Sequence, residues 1–103
     1  MSSTIFNQTH TGFIHNEENI IVITPTLLYL PQKPVDQRQI HIFNNSGKLI
    51  SINSNSKSDL MFSSFAAPNG SETITLEDKR MLICLYVLLD NKKKTGIWHV
   101  IRS

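Results

Sequence analysis

Charge is scarce in this chain. Of its 103 residues only 17% are charged, and the formal net charge is +2; an average soluble domain carries about 25% charged residues. So small a surplus does not steer a protein onto nucleic acid or an anionic membrane by long-range attraction. Cysteine is nearly absent too. Cys84 stands alone, which excludes an intrachain disulfide. It lies within MLICLYVLLD, where a thiol is expected to serve as a small buried hydrophobe, because a reactive thiolate needs an open, electropositive pocket. The four glycines are isolated from one another, so no glycine-rich loop is available to cradle a phosphate. No apolar run reaches the ~20 residues of a membrane helix. Residues 1–30 lack the basic-then-apolar order of a secretory signal, and synthesis in a reducing compartment is the expectation.

Helical periodicity is the remaining absence. Instead, short β-branched and aromatic runs alternate with Asn, Asp, Gly, Pro and Ser. They predict strands at 4–8, 12–15, 19–24, 27–30, 38–44, 48–54, 59–62, 72–76, 81–89 and 97–102. Short strands at this spacing point to one all-β domain over residues 1–103, an antiparallel β-sandwich or jelly-roll-like fold. Residues 1–10 are read as an ordered strand, a shaft remnant or a flexible end. Leu30 to Val35, with Pro31 and Pro34, reads as a connection.

RQIHIFNNSGKLISINS, at residues 38–54, reads as a hairpin turning at Asn44-Asn45-Ser46-Gly47, with Ile40, Ile42, Ile50 and Ile52 on one core face. A second hairpin joins MLICLYVLL to GIWHVIR through a lysine-rich turn. Its first strand is apolar on both faces. Met81, Ile83, Leu85, Val87 and Leu89 share one face; Leu82, Cys84, Tyr86 and Leu88 share the other. A two-layer sandwich covers only one of them, so a second copy of the chain is expected over the other. Leu82, Cys84, Tyr86, Leu88 and Trp98 are the candidate subunit-interface residues.

Catalytic and metal-binding patterns are missing. His10, His15, His41 and His99 have no ligand spacing among them, and no HExxH or paired-cysteine motif occurs. Asp59, His99 and a serine could be written as a triad, but no nucleophile elbow surrounds any serine. The expectation is no enzyme, no metal and no cofactor. Lys92-Lys93-Lys94 with nearby Trp98 gives a nucleic-acid reading. A lysine-rich hairpin tip more commonly guards against strand-to-strand aggregation. Asn7, Asn44 and Asn69 fit the glycosylation sequon by composition alone.

Three stretches together, Ile40 to Gly47, Ser71 to Leu76, and Trp98 to Val100, resemble the terminal head or knob domains of viral fibres. Such heads occur in bacteriophage fibres and in fibre-like proteins of giant viruses and virophages. The resemblance covers about the last two thirds of the chain, and the three lysines before Trp98 depart from the short neutral turn usual there. It implies a homotrimeric β-sandwich at a fibre tip on the virion surface, attaching to a protein or glycan receptor on a host or another virus particle. A trimerisation or capsid-decorating module without a ligand is the alternative from the same class. A small nucleic-acid-binding β-domain is the alternative from another. The sequence alone assigns no ligand-binding residue.

Overall fold

The computed structural model describes residues 12–15, 17–32, 34–63 and 68–102, and the backbone of 3–6. Among these residues there is no helix, and ten strands form two sheets. The larger sheet runs β1 (Ser3–Phe6), β3 (Asn19–Val22), β5 (Gln39–Asn44), β9 (Met81–Asp90), β10 (Thr95–Arg102), β7 (Met61–Phe62). The smaller runs β2 (Gly12–Phe13), β4 (Leu27–Tyr29), β6 (Ile50–Asn53), β8 (Thr73–Leu76). One hydrophobic core lies between them, filled by Ile20, Ile40, Ile42 and Trp98 from the first sheet and Leu28, Ile52 and Leu76 from the second.

Both sheets are mixed rather than antiparallel. From β1 to β6 the chain crosses to the other sheet at every connection. Odd strands therefore stack in parallel on one side, β1 on β3 on β5, and even strands on the other, β2 on β4 on β6. The result is a coil of three turns, closed by antiparallel strands: β9 beside β5, and β8 beside β6.

This topology corrects the expected hairpin at 38–54. β5 already has β3 on one side and β9 on the other, which leaves no edge for β6. The segment Asn45–Leu49 arches from one sheet to the other. All four isoleucines are buried, as their alternation demands, but they face each other across the core instead of sharing one sheet face. Asn44 holds the arch. Its buried amide donates to the carbonyls of Lys48 (2.7 Å) and Leu76 (2.9 Å), and its Oδ1 accepts from the Ser46 backbone N–H (3.1 Å) and hydroxyl (2.6 Å). Gly47, at φ 85°, takes the left-handed conformation that suits glycine and donates to Asp78 Oδ1. This explains the Asn-Asn-Ser-Gly sequence as well as a hairpin would. It also puts the Asn44 sequon amide inside the protein.

The second hairpin forms as expected, β9 against β10, with a register shift at Thr95/Gly96. Asp90 Oδ1 caps its turn by accepting from the N–H groups of Lys92 and Lys93. Gly96 is required for space: a Cβ there would lie 2.8 Å from the Tyr86 hydroxyl and closer still to the Val87 carbonyl. Its N–H donates to the buried carboxylate of Asp59 at 2.8 Å, tying the hairpin to the loop after β6.

Candidate functional site

The five interface candidates point the other way from what was expected. Leu82, Cys84, Tyr86 and Trp98 are fully buried by the chain itself, and Leu88 packs against the same core. Tyr86 and Trp98 meet edge to face at 5.2 Å. Sequence alternation identified the two faces of β9 but carried no mark of which one the smaller sheet covers. Only the outer set can meet another molecule.

That outer face is apolar over most of its width. Across the strands, Ile21 aligns with Phe43 and Phe43 with Met81; His41 aligns with Ile83 and Ile83 with Ile101; Val87 aligns with Ile97. Leu85 aligns with Gln39 on one side and with His99 on the other, His99 being paired in turn with Phe62 of β7, and His41 aligns with Asn19. Met81, Leu89 and Ile101 are 37%, 67% and 65% exposed. Among the described residues of β3, β5, β9 and β10, this face carries no Asp, Glu, Lys or Arg. The outer face of the smaller sheet is the opposite. Beside Phe13, Leu27 and Tyr29 it presents Ser51, Asn53, Thr73 and Thr75, and Asn53 donates across the strands to Thr73 Oγ1 at 2.9 Å. That is the pattern of a sheet face in water.

The histidines and the hypothetical triad are not brought together. His41 and His99 lie on either side of β9, two strand spacings apart and offset by two residues along the strands, or about 12 Å. His10 falls outside the described residues, and no cluster of three metal-ligating side chains occurs among those described. Asp59 is buried against Gly96, while His99 lies on the outer face of the sheet. The Cys84 thiol is fully buried, and burial pushes its pKa up to about 12, so it stays protonated and poorly nucleophilic at neutral pH. Trp98 is 0% exposed and so offers no stacking surface beside Lys92, Lys93 and Lys94.

A groove of about 840 Å³ opens at the end of the sandwich where β2, the β4–β5 connection and the loop after β6 meet. Phe13, 49% exposed, stacks on Tyr29 at 4.7 Å with the rings 11° from parallel. Gln32 reaches over to donate to the Asn55 backbone carbonyl at 3.1 Å. Asn55 holds a φ of 61° and donates its N–H to Asn53 Oδ1. Arg38 donates from Nη2 to the Glu17 carbonyl at 2.8 Å, which fixes its guanidinium at the groove wall. Sequence reading placed Phe13 and Arg38 in expected strands and Gln32 and Asn55 in connections. Residues 13, 32, 38 and 55 converge because the coil brings separate turns together, and no local pattern announces that. No protein-family model, curated protein or solved structure matches this chain.

Proposed function

We propose that this protein is a self-assembling attachment module of the viral fibre-head kind, a homotrimer whose subunits meet over the outer face of the six-stranded sheet. The observation that carries the reading is the contrast between the two outer faces, one mostly apolar and, among its described residues, without carboxylate or ammonium groups, the other carrying hydroxyls and amides across β6 and β8. Solvated sheet faces generally interrupt such apolar stretches with charge. Four strands at ~4.8 Å spacing and about eight residues at ~3.4 Å give a flat footprint on the order of 500 Å². Side-chain relief enlarges this toward the ~800 Å² per partner that stable interfaces bury. Cyclic symmetry closes such an assembly, and the resemblance to fibre heads sets the number of copies at three. With the core and the interface occupied, recognition of a receptor on a host or virion surface falls to the loops at the ends of the sandwich.

Mass measurement by light scattering at micromolar concentration tests the assembly. A trimer is expected. Leu85→Lys, at the centre of the apolar face, should give a folded monomer, while Thr75→Lys on the smaller sheet should leave the trimer intact. A wild-type monomer at these concentrations would overturn the reading.

A further inference from the structure

The groove beside Phe13 has a lining that fits one kind of ligand. Its volume of about 840 Å³ lies within the ~300–1,000 Å³ range of small-ligand sites. Phe13, Pro31, Pro34 and Val35 supply flat, rigid apolar surface, and Val35 is 71% exposed. Gln32 and Asn55 place side-chain amides beside that surface, each bearing both donors and an acceptor. Arg38 adds a forked cation; among the described residues no carboxylate lines this groove, though the Glu17 carboxylate accepts the backbone N–H of the lining residue His15 at 3.0 Å. The adjoining depression continues the polar wall with Ser56, Ser58, Asp59, Lys93 and Lys94, and shares Gln32 and Asn55 with the groove.

Hydroxyl-rich rings with alternating C–H faces match an aromatic ring flanked by amides. An anionic substituent with two oxygens on one side, a carboxylate or a sulfate, matches a guanidinium held in place by a backbone carbonyl. We propose that this groove is a binding site for an acidic saccharide, with the sugar ring against Phe13, its hydroxyls on Gln32 and Asn55, and its carboxylate or sulfate on Arg38. The proposal rests on the attachment reading in one respect: it supplies the receptor chemistry that reading leaves open.

Two features favour a saccharide over other occupants. A nucleic acid strand needs a stacking surface for each successive base, whereas among the described lining residues only Phe13 and His15 offer exposed rings, both at one end of the groove. A peptide added along a strand edge would bind without depending on the Arg38 side chain.

Binding of sialyllactose, a sulfated heparin tetrasaccharide and neutral lactose is measured by isothermal titration on the full chain. At least one acidic probe is expected to bind about tenfold or more tightly than lactose, as a charge-assisted contact requires. Arg38→Gln should remove that preference. Asn55→Gly should weaken all the saccharides that bind; glycine accepts the left-handed backbone of this position, so the fold is kept. Failure of all three probes to bind a chain of trimer mass would overturn the groove assignment and leave the assembly reading standing. Binding unchanged by both substitutions, or confined to lactose, would overturn it as well. A monomer that still binds an acidic probe through Arg38 would uphold the groove and overturn the trimer.

Discussion

Asn44 is the residue on which the junction of the two sheets turns. It is 0% exposed, and its backbone groups are satisfied too, the N–H by the Arg80 carbonyl and the C=O by the Lys79 N–H. Asn44→Ala would leave the carbonyls of Lys48 and Leu76 without these donors, at least one of them in a buried site. The expected loss is about 2–4 kcal/mol, read as a lower urea midpoint. Asp59 plays a parallel part under the second hairpin, and it also influences Tyr86. Burial first, and then the charge of Asp59, push the Tyr86 phenol up to about 12 from an ordinary 10.0. Cys84 rises to about 12 from 9.0 through burial alone. Both groups are neutral when protonated, so the folded chain keeps protons that the unfolded chain releases first. Their contribution is complete below about pH 9 and disappears as the pH rises toward 12. Between those limits each group lowers stability by up to about 1.4 kcal/mol per pH unit. Urea titrations at pH 7, 9, 10 and 11 should therefore show a flat first interval and a steepening decline.

Among the elements, the strands themselves were legible. Each of the ten expected runs overlaps an observed strand, because a half-buried strand writes its period of two directly into the sequence. Which strands pair was not legible. An arch and a hairpin both bury Ile40, Ile42, Ile50 and Ile52, so alternation cannot separate them. The distinction rests on Asn44, whose buried amide bonds to Leu76, thirty-two residues away. A turn-residue count sees only a good turn. The candidate site suffered the same blindness: the apolar set on β9 was visible, but its inner and outer halves were exchanged. The two connections should respond differently to lengthening. Four Gly/Ser residues inserted after Lys93 extend an exposed hairpin tip and should cost about 1 kcal/mol or less. The same insert after Ser46 breaks the bonds from Ser46 to Asn44 and Gly47 to Asp78 and should cost about 2–3 kcal/mol. Denaturant midpoints of the two variants decide the point.

For the whole molecule, the proposed assembly makes stability a function of concentration. Folded subunits drawn into a trimer are held by mass action, so the Tm should rise with protein concentration for the wild type and stay fixed for Leu85→Lys. The coil has a separate consequence, in time rather than in energy. Partners in β1–β6 lie sixteen to twenty-four residues apart along the chain, and only β9 and β10 meet across a tight turn. Closing long loops before any pairing rewards them is slow. In pulse-labelled hydrogen exchange during refolding, the amides of β9 and β10 should gain protection first and those of β3 and β4 last. Until that late step, the apolar sides of the early strands stand bare, and a newly made chain faces its greatest hazard of clumping before its first turns have wound into place.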